Sequence, residues 1–164
     1  VISACRNPWD RAVSQFFWSY RKTNIFAEDF KTQKNQFTKF VKKYGPKTWL
    51  DAFYGRKRQR RLDSSHLYTI NQRLHINFVI RFEKLEEDFS NLVETLGLST
   101  IEPKSTIFTK STFRPRAAKR WQDFYDRNTI DLVESCCWKE IKCFNYNFEG
   151  NTNPRGGLLE NLPV

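Results

Sequence analysis

The sequence contains no methionine, only two histidines, and no apolar run approaching the roughly 18 residues that span a bilayer. With Val1 already inside an apolar run, the missing methionine reads as a chain that starts within a longer protein. Membrane contact is then expected only through an anchor outside these residues, and the opening Val-Ile-Ser-Ala-Cys is too short for a signal-peptide core. Cysteine is sparse and unpaired in spacing: Cys5 stands alone, and Cys136, Cys137 and Cys143 have no C-x-x-C pattern and no nearby histidine. Buried thiols are expected there, and no metal site. Glycine is also scarce. Gly45, Gly55, Gly97, Gly150, Gly156 and Gly157 form no phosphate-cradling loop.

Positive charge and aromatic side chains are abundant. Lys and Arg number 28 against 18 Asp and Glu, a net charge of +10 that favours an anionic partner, be it nucleotide, acidic glycan, nucleic acid or membrane surface. The chain is 39% hydrophobic and 16% aromatic, which at 164 residues is enough for one globular core. Arg56-Lys57-Arg58-Gln59-Arg60-Arg61 resists burial and is expected in a solvated loop.

Residues 1–5 lack alternation and read as a strand buried on both faces. A helix follows at once, with Asn7 as N-cap, Pro8 at the first helical position and Asp10 three after the cap. Trp9, Val13, Phe16, Phe17 and Tyr20 then mark its buried face. Phe37, Phe40, Val41 and Tyr44 predict a second helix, closed by a left-handed cap at Gly45 and by Pro46. A further strand is predicted over residues 76–82, and a helix from Glu83 with Leu85, Phe89, Leu92, Val93 and Leu96 inward. A short turn of helix is predicted over 47–54, loop over 99–118 with a strand at 106–108, and weak helix over 119–125. The last helix is expected over 128–142, with Ile130, Val133, Cys137 and Ile141 inward. Two strand-then-helix units imply an α/β domain over residues 1–148, and residues 149–164 read as a flexible tail.

The segment Arg6-Asn7-Pro8-Trp9-Asp10-Arg11-Ala12-Val13-Ser14 resembles the 3′-phosphate-binding segment of the sulfotransferases that use 3′-phosphoadenylyl sulfate (PAPS), particularly the carbohydrate-type branch. Three further blocks resemble that family in order: Ile80 to Leu85 followed by Glu87-Asp88-Phe89, Trp121 to Tyr125, and Ile141 to Phe148. Lys142 and Asn145 depart from it, standing where an acidic residue and a glycine are usual. The resemblance covers residues 1–148, poorly between about 45 and 65.

That resemblance implies the C-terminal portion of a P-loop-like three-layer fold, with a small parallel sheet flanked by helices. It implies PAPS as donor co-substrate, transfer of its sulfuryl group to a hydroxyl, a carbohydrate acceptor, and no metal. Arg6 and Ser14 are implied as 3′-phosphate ligands, with Arg114 and Arg116 as further candidates against the nucleotide. Arginine offers phosphate a planar fork of permanent donors, and the hydroxyl of Ser14 adds one directional donor. Seven residues after the cap, Ser14 lies about 10 Å along the helix, so the phosphate is expected along the flank and not at the tip. Arg11 is as readily explained by an acidic partner, Asp10 or another. His66 and His75 sit in loop or pre-strand positions that favour non-catalytic roles, and Glu83 reads as a first-turn helix charge. No catalytic residue is assigned, since the family's lysine-bearing phosphate loop has no counterpart here and is expected upstream. Nucleic-acid binding is disfavoured because most aromatics recur at helical spacing, and a fold that only binds nucleotide or a partner stays open. Both a Golgi lumen and a bacterial cytoplasm fit this segment.

Overall fold

The structure is a computed structural model that describes residues 1–45, 62–70, 73–98, 120–150 and 154–159. Strand β1 (Ile2–Cys5) feeds helix α1 (Pro8–Ser19), followed by helix α2 (Phe30–Tyr44), a two-stranded antiparallel ribbon of β2 (Thr69–Ile70) and β3 (Arg73–Leu74), strand β4 (Phe78–Arg81), helix α3 (Leu85–Thr95), helix α4 (Arg127–Phe144) and strand β5 (Gly157–Leu158). Short 3-10 turns at Asn24–Ala27, Ser65–Leu67, Phe82–Lys84 and Trp121–Phe124 link these elements. Among the described residues no helix is long and apolar enough to cross a membrane.

The chain is of mixed α/β class; the described residues include four helices and a three-stranded sheet in the order β1-β4-β5. The β1/β4 pair is parallel, Ile2 opposite Phe78 and Cys5 opposite Arg81. The sheet is not wholly parallel, however. Within the segment expected to be a tail, Gly157 and Leu158 pair antiparallel with Val79 and Phe78, and Arg155 N–H donates to Phe144 O at 2.8 Å. Gly156 explains how so short a segment docks: a Cβ there would lie 2.3 Å from Arg81 Nε and 2.9 Å from Asp88 Oδ2, so only glycine lets the backbone reach that ion pair.

Helix α1 starts as its sequence dictates. Asn7 Oδ1 accepts from Trp9 N at 3.0 Å and Asp10 N at 3.3 Å, and Pro8 occupies the first turn, where no N–H is needed. Trp9, Val13, Phe16 and Phe17 are buried, joined by Ala12, while Tyr20 packs partly buried against them. Phe37, Phe40 and Val41 of α2 and Val133, Cys137 and Phe144 of α4 complete the core. Phe16 and Phe124 are its aromatic hubs, with edge-on ring contacts to Phe17, Phe37 and Phe40 at 5.1–5.8 Å. Such pairs each contribute about 0.5–1.5 kcal/mol beyond area burial.

Three helix details differ from expectation. Gly45 is right-handed (φ −64, ψ −54), not left-handed; a Cβ there would lie 3.1 Å from Leu132 Cγ, so it serves the close approach of α2 to α4. In α3, Leu85 and Leu96 are exposed and Asp88 is fully buried, because pairing Asp88 with Arg81 turns the inward face to Asp88, Leu92 and Val93. In α4, Ile130 and Ile141 flank the core partly buried, whereas Glu140 is 1% exposed. That helix ends at Asn145 in the left-handed conformation (φ 57), which asparagine tolerates best after glycine.

Candidate functional site

Parallel pairing sets the geometry of the site. The register offset of β1 and β4, carried one and two residues past Cys5 and Arg81, brings Arg6 to Phe82 and Asn7 to Glu83. Both contacts are made. Arg6 Cζ lies 4.3 Å from the centre of the Phe82 ring, and Asn7 N–H donates to Glu83 Oε1 at 2.6 Å. The carboxyl ends of adjacent parallel strands are where open α/β sheets place ligand sites.

Arg6 is held from two directions. Below its plane is the Phe82 ring, and along one edge both Nε and Nη2 donate to Asp10 Oδ2, at 2.7 and 2.6 Å. Nη1 has no hydrogen-bond partner among the described residues, and the side chain is 21% exposed. The far end of the guanidinium fork is therefore presented outward. Ser14 is half-buried on α1, and its hydroxyl has no partner among the described residues. Arg114 and Arg116, like the basic run at 56–61, lie outside the described residues, as does the side chain of His66. His75 is exposed between β3 and β4, and its backbone N–H donates to Tyr68 O at 2.8 Å.

The tip of α1 is already occupied. Glu83 supplies a carboxylate to Asn7 N–H, and Asn7 uses its own side chain on the next two donors. Asn7 Nδ2 also donates to Asn147 O at 3.0 Å, tying the joint to the closing segment. The other oxygen of Glu83 accepts from Tyr146 OH at 3.1 Å, and Tyr146 OH lies 3.2 Å from Cys5 Sγ. Glu83 thus serves the tip of α1 across the sheet from the 3-10 turn Phe82–Lys84, and the first-turn acids of α3 are Glu86, Glu87 and Asp88. Burial pushes the Cys5 thiol up to about 12, and it likewise raises the Tyr146 hydroxyl well above its usual range. Neither is a nucleophile near neutral pH.

Arg11 points inward. Its Nη1 and Nη2 donate to Glu140 at 2.5 and 3.0 Å, and Nη2 also donates to Leu62 O at 2.7 Å. Ser64 N–H donates to the same carboxylate. Burial pushes the Glu140 carboxyl up, against the pull of Arg11. The acid that holds Arg11 is therefore Glu140, not Asp10. Arg81 is equally committed, bonding Asp88 through Nε (2.8 Å) and Nη2 (2.5 Å), with its own backbone N–H at 2.7 Å and Pro154 O at 3.0 Å. Of Arg6, Arg11 and Arg81, Arg6 alone has a guanidinium nitrogen, Nη1, without a hydrogen-bond partner among the described residues and directed outward from Asp10. Comparison with protein-family models, with curated proteins and with solved structures finds no match for this chain.

Proposed function

We propose that this chain is the C-terminal portion of a PAPS-dependent sulfotransferase of the carbohydrate type, within a P-loop-like three-layer fold, and that Arg6 and Ser14 bind the 3′-phosphate of the donor. The observation that carries the reading is the outward edge of Arg6 at the carboxyl end of the parallel β1/β4 pair. A phosphate there receives charge-assisted bonds from a guanidinium already oriented by Phe82 and Asp10. The occupied tip of α1 favours an anion along the helix flank, towards Ser14. The helix dipole adds little at that distance from the tip.

In the proposed reaction an acceptor hydroxyl, on a carbohydrate, attacks the sulfur of PAPS. Its S–O bond forms as the bond from sulfur to the bridging phosphate oxygen breaks. A base takes the hydroxyl proton, and the products are a sulfate ester and adenosine 3′,5′-bisphosphate. The groups that neutralise the leaving phosphate and take the proton are assigned upstream of Val1, and Arg114 and Arg116 are retained as further contacts to the nucleotide. No metal is required by this scheme. Calorimetric titration of the full-length protein with adenosine 3′,5′-bisphosphate, set against Arg6→Ala, tests the assignment.

A further inference from the structure

We propose that Glu83 is a positioning residue for the Arg6 anion site, acting through Arg6 by fixing the direction in which its outward edge points. The inference rests on the reading of Arg6 as a 3′-phosphate ligand and adds to it the residue that aims it.

The last β1/β4 pair is Cys5 with Arg81, and α1 begins at Pro8, so Arg6 and Asn7 form the joint between ladder and helix. Arg6 has two supports, the Phe82 ring 4.3 Å from its Cζ and Asp10 Oδ2 at 2.6–2.7 Å. Both run through the bond from Asn7 N–H to Glu83 Oε1. On the β4 side, Phe82 and Glu83 are consecutive in one 3-10 turn, so the carboxylate that holds Asn7 also sets where the ring lies under Arg6. On the α1 side, Asn7 Oδ1 accepts from Asp10 N at 3.3 Å, so the place of Asn7 sets that of Asp10. Glu83 is itself braced, its Oε2 accepting from Tyr146 OH at 3.1 Å.

These two bonds reach residues 76 and 63 positions away in sequence, yet Glu83 lies exposed. It therefore supplies alignment of the two strand exits and not core packing. A charged site loses affinity when the groups that orient its ligands are free to move. Both oxygens of Glu83 and the N–H of Asn7 are engaged within the protein, so the joint offers the phosphate no donor of its own.

The test is calorimetric binding of adenosine 3′,5′-bisphosphate and of adenosine 5′-phosphate, which lacks the 3′-phosphate, to the full-length protein and its variants. Losing an outer partner costs metal sites about 10- to 100-fold in affinity, and Glu83→Ala is expected to weaken the bisphosphate on the order of tenfold. Adenosine 5′-phosphate, which makes no contact with Arg6 in this reading, is expected to keep its affinity. Glu83→Gln, which keeps an acceptor for Asn7 N–H, should recover most of the loss. Glu83→Asp keeps the charge on a shorter arm, should weaken the bisphosphate alone, and decides the matter where the alanine variant does not fold. In an Arg6→Ala background, Glu83→Ala should cost little more, since the residue it aims is gone. Equal losses for the two nucleotides show a general loss of structure and overturn the inference. So does a bisphosphate affinity unchanged in Glu83→Asp and in a folded Glu83→Ala, or a Glu83→Ala loss that adds in full to that of Arg6→Ala. Wild-type affinity in Arg6→Ala instead removes the reading of Arg6 itself, whatever the Glu83 variants do.

Discussion

Glu83, two residues past the end of β4, accepts the backbone N–H of Asn7 at 2.6 Å and so fastens the exit of one parallel strand to the helix that leaves its neighbour. The same carboxylate accepts from Tyr146 OH, which ties the closing segment to this joint. Replacing Glu83 by Ala leaves two donors without their charged acceptor and is expected to cost about 1.5–3 kcal/mol of stability. Gln keeps an acceptor and should cost less. Urea unfolding midpoints at equal slope measure both, and an alanine variant as stable as wild type contradicts the clamp.

The buried pair of Arg11 and Glu140 leads to a non-additive result. Removing either partner strands a charge beside the core, and Arg11→Met or Glu140→Met should each lose about 3–5 kcal/mol. The double substitution should lose much less than the sum, because no charge is then left buried. Additive losses in the double-mutant cycle would show that the two side chains act independently.

Asp88 sets a pH dependence. Burial pushes its carboxyl up, but bonds from the Arg81 side chain and backbone outweigh that and hold it below the usual range. A carboxyl depressed in the folded state contributes stability above its unfolded value of about 3.9 and loses it as pH falls through the folded value. Asp88→Asn should therefore be less stable at pH 7 and should lose less between pH 4 and pH 2 than wild type. Parallel acid limbs for the two proteins contradict the assignment.

Gly156 is required by the Arg81–Asp88 pair it packs on. Alanine there would place Cβ 2.3 Å from Arg81 Nε, so either the pair opens or β5 lifts from β4. A loss of about 1–3 kcal/mol is expected, the usual range for overpacking. Hydrogen exchange should show faster exchange at Leu159 N–H, which donates to Asn77 O. Unchanged protection would contradict the docking of this segment.

The four thiols should be inert in the folded protein. Burial pushes Cys5 up to about 12 and Cys136 to about 11, and raises Cys137 and Cys143 as well. Iodoacetamide at pH 7.5 should label them slowly until denaturant is added, since the thiolate is the reactive form. Rapid native labelling of any one of them contradicts the burial described.

Local signals in the sequence carried much of this architecture. Asn7, Pro8 and the Trp9–Phe17 spacing were sufficient to place α1, because caps and apolar periodicity act within a few residues. What depended on distant pairing was not legible. The register that sets Arg6 on Phe82 and Asn7 on Glu83 joins residues 76 apart, and no local pattern encodes it. Glu140 carries no signal of its own in the sequence, and its burial makes sense only once Arg11 arrives beside it. An acid three residues after Cys137 and seven after Val133, on an otherwise inward face, was the available signal. The docked strand at Gly157–Leu158 was hidden for the same reason: two apolar residues in a polar segment acquire meaning only against β4. Asp10 was set against Arg11 or the helix cap in the sequence, whereas the structure pairs it with Arg6, four residues earlier across the start of α1.

The most direct measurement is calorimetry of adenosine 3′,5′-bisphosphate binding to the full-length protein and to its Arg6→Ala variant. The account predicts binding by the wild type and a loss of roughly 2–5 kcal/mol in the variant, the range for removing one partner of a hydrogen-bonded charge pair. An Arg6→Ala protein that folds and binds the nucleotide with unchanged affinity would contradict it.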